Sequence, residues 1–127
     1  MEEKKIIESQ REKIKKLFND IVVLTLKIKD TELNIQSDLK LMRETDDKKT
    51  FVRLTHEETA LKADAKLDKD KLSQKKSDFQ DFVGECLTQC DANSGSKDWQ
   101  SQKKWIEEFL VINNIKKKEE SIPSEME

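Results

Sequence analysis

Cys86 and Cys90 are the residues best equipped for chemistry, and they stand four apart, on one face of any helix that carries them. Two thiolates at that spacing would be half of a zinc site, which takes four nitrogen or sulfur ligands. The second half is missing: His56 is the single histidine and lies thirty residues upstream of Cys86. A catalytic cysteine would need a neighbouring base, and none stands at a recognisable spacing. The pair reads instead as two small apolar side chains in a helix seam, kept reduced as in an intracellular protein. His56, between Thr55 and Glu57, has the titration range of a pH sensor but the polar surroundings of a solvated surface residue. No glycine-rich phosphate loop and no Ser/His/Asp grouping is present, and the carboxylates are scattered over charged faces. Lys116–Lys118 would make a basic patch, but Glu119 and Glu120 neutralise it and it reads as a solvated helix end. The expectation is a non-enzymatic protein without catalytic residues, metal or cofactor.

Composition points to helices. Charged residues make up 41% of the 127 and hydrophobic ones 34%, with two Gly, one Pro and no Tyr, which suits long helices and disfavours strands. The net charge of −2 comes from 25 basic and 27 acidic residues that interleave, so no basic face singles out nucleic acid as a partner. No apolar stretch follows Met1-Glu-Glu-Lys-Lys as a signal peptide would require, and no run approaches the ~20 residues that span a bilayer. An intracellular protein, cytoplasmic or nuclear and not secreted, is expected.

The dominant pattern is an isoleucine row. Ile7, Ile14, Ile21, Ile28 and Ile35 recur every seven residues and Met42 takes the next place, so they read as heptad a positions. The d positions are Gln10, Leu17, Leu24, Thr31, Asp38 and Thr45, strongest at Leu17 and Leu24. A lone helix cannot hide such a seam, so Ile7, Ile14, Leu17, Ile21, Leu24, Ile28, Ile35 and Met42 are the predicted oligomer interface. Phe18 and Leu39 at e, Leu41 at g, and Val22 and Leu26 at b and f widen the apolar face beyond what a plain dimer uses. A heteromer is therefore slightly favoured over a homodimer.

Between Thr45 and Thr50 the phase slips. Without Gly or Pro to mark a turn, a continuous helix over residues 1–91 is preferred to a hairpin. A second row starts at Phe51 and Leu54 and runs through Leu61, Ala65, Leu72, Phe79 and Phe82, interrupted by Glu58, Asp68 and Lys75. From Phe79 to Cys90 it broadens into a bundle-like stripe, in which a close helix crossing would explain Gly84. Residues 92–96 read as a loop, with Ser96 or Asp98 as the cap of the next helix. That helix, 97–115, is predicted to fold back on 79–90. Phe79, Phe82, Trp99, Trp105, Ile106, Phe109, Leu110 and Ile112 are expected to form a hairpin core or to dock a partner. Residues 116–127 read as a disordered tail.

In style the chain resembles the broad class of eukaryotic coiled-coil scaffold subunits of kinetochores, centrosomes, axonemes and meiotic chromosomes. Arg11–Lys16 and Thr55–Glu57 are similar to runs in coiled-coil proteins of sperm flagella. The resemblance implies no residue roles. The predicted fold is all-α: a long, rod-like, oligomeric coiled-coil helix ending in a C-terminal helical hairpin. The expected function is a scaffold or adaptor subunit that associates through its seam with itself or a helical partner, in a cytoskeletal, centrosomal, axonemal or chromosome-associated assembly. The alternative is a compact monomeric helical module such as an enzyme inhibitor. Protein helices are the expected partners; small-molecule substrates, nucleic acid and membranes are not.

Overall fold

The computed structural model describes residues 2–115. The predicted disordered tail, 116–127, lies outside the described residues. The described chain is all-helical: α1 (Glu2–Glu44), α2 (Lys48–Ala92) and α3 (Lys97–Ile112), with no strand among the described residues.

The continuous helix expected over residues 1–91 is not formed. α1 stops at Glu44, Thr45–Asp47 leave helical geometry, and α2 starts at Lys48. The stop needs neither Gly nor Pro because Asp47 caps α2. Its carboxylate accepts the Thr50 hydroxyl and is assisted by the backbone N–H groups of Thr50 and Lys49, orphan donors of a first helical turn. These contacts hold the Asp47 carboxyl below its ordinary value, the Thr50 hydroxyl contributing most. The Thr45 hydroxyl in turn accepts the Asp47 backbone N–H at 3.2 Å.

The chain divides into two compact units. The first takes α1 up to Phe18, α2 from Lys76 and all of α3. The α1 and α2 segments run antiparallel: Gln10 Nε2 donates to Gln89 Oε1 at 2.9 Å, and the rings of Phe18 and Phe79 lie 6.0 Å apart. α3 covers both, so the unit is a three-helix bundle. The loop from Asn93 to Ser96 turns the chain back, and Lys103 on α3 reaches Asp91 at 2.8 Å. Ser96 stands at the cap position with extended backbone, but its side chain makes no capping bond. α3 ends at Ile112, three residues short of the expected 115, with Asn113 as its C-cap and Asn114 in the left-handed region.

The second unit, Asn19–Lys75, is a two-helix hairpin around that turn. Its antiparallel direction is set by the short turn Thr45–Asp47 between the helices, and the ion pairs Lys27 to Asp68 and Glu32 to Lys69, each at 3.3 Å, cross from one helix to the other.

The heptad register survives in both helices. Every a and d residue from Ile7 to Met42 in α1 is buried or half-buried, as is Thr45 just beyond its end. On α2 the inward row is Leu54, Glu58, Leu61, Ala65, Asp68, Leu72, Lys75 and Phe79, an unbroken alternation of four and three. Glu58, Asp68 and Lys75, the charged breaks in the apolar row, hold its spacing and are buried or half-buried, and Phe51, expected to begin it, is exposed. Gly84 is not at a crossing, because a Cβ there would meet nothing within 4 Å.

Candidate functional site

In the three-helix unit the aromatic residues of α3 meet those of the other two segments. Phe18 stands edge-on to Phe109 at 5.6 Å, and Phe109 stacks on Trp105 at 5.3 Å, separations at which aromatic pairs attract beyond simple burial. The Arg11 guanidinium lies 5.1 Å from the Trp105 ring and the Lys13 ammonium 4.3 Å from that of Phe82. Ile7, Ile14, Phe79, Val83, Trp99, Ile106 and Leu110 are buried. The structure thus brings Phe79, Trp99, Ile106 and Leu110 into one core, with Phe82, Trp105 and Phe109 half-buried at its margin. Ile112, expected in the same group, is 81% exposed, and Val111 beside it is exposed too. Helix geometry explains the split: Trp99, Ile106 and Leu110 share the inward face of α3, and Val111 and Ile112 lie more than about 100° around the helix from Ile106, on its outward side.

Gln102 is the residue that periodicity gave no reason to notice. It is fully buried in α3, at 0% exposure. Its Nε2 donates to the Ile7 carbonyl at 3.3 Å and to Gln10 Oε1 at 3.0 Å, and its Oε1 accepts Arg11 Nε at 2.7 Å. A buried amide with its partners in place fixes how α3 seats on α1. The indole nitrogen of Trp99, by contrast, is buried without an acceptor.

Cys86 and Cys90 are buried, unbridged and on the same face of α2. Burial pushes the Cys86 thiol up to about 12, and Cys90 and Glu85 add to the rise. Cys90 is raised as well, again mainly by burial. Thiols held protonated in this way are poor nucleophiles and poor ligands. His56 is exposed, and among the described residues no group of three or more His, Cys, Asp or Glu is placed to hold a metal ion.

In the hairpin unit the predicted interface residues face the chain's own second helix. Ile28 is buried, and Ile21, Leu24, Ile35 and Met42 are half-buried between α1 and α2. Ile7, Ile14 and Leu17 do the same in the three-helix unit, with Ile14 at 0% exposure. The hairpin core also contains carboxylates. Asp68 meets Lys27, Glu58 meets Lys62, and Asp38 is buried with Oδ2 unpartnered. The Lys27 ammonium donates to Asp68 Oδ1 at 3.5 Å and lies 3.3 Å from Oδ2, which itself has no well-directed hydrogen bond.

What remains outside the hairpin seam includes large apolar side chains. Val22, Val23, Leu26, Leu33, Leu39, Leu41, Phe51, Val52 and Leu67 are all exposed on the hairpin. No described helix is long and apolar enough to cross a membrane. Comparison with protein-family models, with curated proteins and with solved structures returns no match for this chain.

Proposed function

We propose that this chain is a non-enzymatic helical adaptor that docks partner helices in a larger intracellular assembly, of the cytoskeletal, centrosomal, axonemal or chromosome-associated kind. One observation carries the reading. Of the twelve large hydrophobic residues exposed among the described residues, nine lie on the two-helix hairpin. Apolar side chains concentrated in this way mark surfaces that another protein covers. The three-helix unit has a third helix over its seam, and the hairpin unit has none. A hairpin of two helices with carboxylates in its seam gains stability when a further helix covers it.

The partner is proposed to be a different protein. The isoleucine row that would have zipped two copies together is occupied within one chain, so coiled-coil pairing of the whole α1 seam with a second copy would require the hairpin to open. The same packing favours one second reading, a self-sufficient binding module such as an enzyme inhibitor, which would use the same outer surface without belonging to an assembly.

Residue-specific photo-crosslinking in cells tests the proposal. A photoreactive residue at Val23, Leu26 or Val52 is expected to give discrete protein adducts, and one at Glu12 on the polar surface is not. Absence of adducts from all three apolar positions sinks the adaptor reading. Adducts to a single enzyme, in a complex of only two chains, support the inhibitor reading instead.

A further inference from the structure

Along one side of the hairpin two grooves, of about 800 and 450 Å3, share Gln36 and Leu39 and so form one continuous channel between α1 and α2. Its floor is apolar, with Ile35, Leu39, Met42 and Phe51. Leu39 is 36% exposed and Phe51 45%. Its rim carries Lys40, Arg43, Lys62, Lys66 and Lys69 against a single carboxylate, Glu32. That local excess is not a property of the chain at large, whose net charge is −2. Lys69 is engaged by Glu32 and Lys62 by Glu58. Lys40, Arg43 and Lys66 make no ion pair among the described residues and stand exposed.

We propose that this channel is the seat of a partner's acidic amphipathic helix, which completes a three-helix bundle in the hairpin unit. The inference rests on the adaptor reading and adds to it the place and the chemistry of the partner. The floor demands apolar side chains at helical spacing, which a nucleic-acid strand does not offer. The rim demands carboxylates flanking them, which a second copy of this groove, equally basic, does not offer. From Glu32 to Arg43 α1 rises about 16 Å, so the bound segment is about three turns long.

Two designed helical peptides with the same leucine stripe test the proposal, one flanked by glutamates and the other by lysines, each titrated by fluorescence anisotropy against the full chain. The glutamate peptide is expected to bind at least tenfold more tightly and to weaken as salt is raised. Leu39→Asp is expected to weaken it at least tenfold. The exposed triple variant Lys40→Glu/Arg43→Glu/Lys66→Glu should reverse the preference between the peptides. Glu12→Lys, on the exposed polar surface of the three-helix unit, should change nothing. Circular dichroism checks that each variant keeps its helices. Equal affinity for both peptides, binding of neither, or a helical triple variant with unaltered preference overturns the proposal. Leu39-dependent self-association in sedimentation overturns it in favour of a second copy, and Leu39-dependent binding to anionic phospholipid vesicles or single-stranded DNA in favour of those. If the groove fails while Val23, Leu26 or Val52 still crosslink, the adaptor reading stands and only this seat is lost; if both fail, both are lost.

Discussion

Ile28→Ala, read at two protein concentrations, asks whether the isoleucine row belongs to one chain. Ile28 is 6% exposed inside the hairpin unit. The substitution removes three carbons from that seam. At about 0.8 kcal/mol per buried methylene the transfer loss is about 2.4 kcal/mol, and the residual cavity brings the cost to about 2–4 kcal/mol. With a urea slope of about 2 kcal/mol per molar, the midpoint followed by circular dichroism falls by about 1–2 M. Leu33→Ala, at an exposed site on the same helix, should stay within about 0.5 kcal/mol of the parent.

Dilution supplies the decisive comparison. A row shared between two chains loses RT ln 100, about 2.7 kcal/mol, when the protein is diluted a hundredfold. A row closed within one chain loses nothing. The expected result is therefore a parent midpoint that does not move between about 1 and 100 μM, with Ile28→Ala lowering it equally at both concentrations. A parent midpoint that falls on dilution refutes the intrachain assignment. So does an Ile28→Ala variant no less stable than Leu33→Ala.

Three further outcomes follow from particular residues. Gly84→Ala should raise stability by about 1 kcal/mol, because a helical glycine is replaced where the new Cβ meets open space; a loss in urea titration would place an unseen neighbour there. Asp47→Ala should loosen the turn at neutral pH. The folded carboxyl is held below its ordinary value, so its contribution is complete above the unfolded pKa and disappears as pH falls through the lowered folded one. Variant and parent urea midpoints should then converge in acid, and a gap that widens there would contradict the cap. Gln102→Ala should cost about 2–4 kcal/mol, from three lost hydrogen bonds and a cavity, and Gln102→Leu distinctly less because it refills the space; equal costs would mean that volume is irrelevant at this site.

How much of this was legible in the sequence is decided by what periodicity can and cannot state. The a and d register of α1 could be read residue by residue, since an apolar row every seven residues has one physical meaning: that side must be covered. The aromatic cluster of Phe79, Trp99, Ile106 and Leu110 was legible for the same reason, with a Gly/Ser-rich loop at 92–96 to say that the chain turned back. Periodicity does not name the covering helix. That was set at Thr45–Asp47, where the stop signal is a capping carboxylate three residues before Thr50 rather than a glycine or proline.

Glu58, Asp68 and Lys75 read as interruptions because charge is unexpected in an apolar row, yet they keep its four-and-three spacing and are buried or half-buried in it. Gln102 was invisible for a different reason: a buried amide is tolerated only where its partners stand, and those partners, Ile7, Gln10 and Arg11, are more than ninety residues away in the chain. The outer apolar surface was half-seen. Leu39 and Leu26 were recognised as too greasy for the flanks of a dimer, and the hairpin gives that excess its meaning: with the isoleucines already covered from within, Leu39 on the channel side and Leu26 on the other are what α1 has left to offer to another protein.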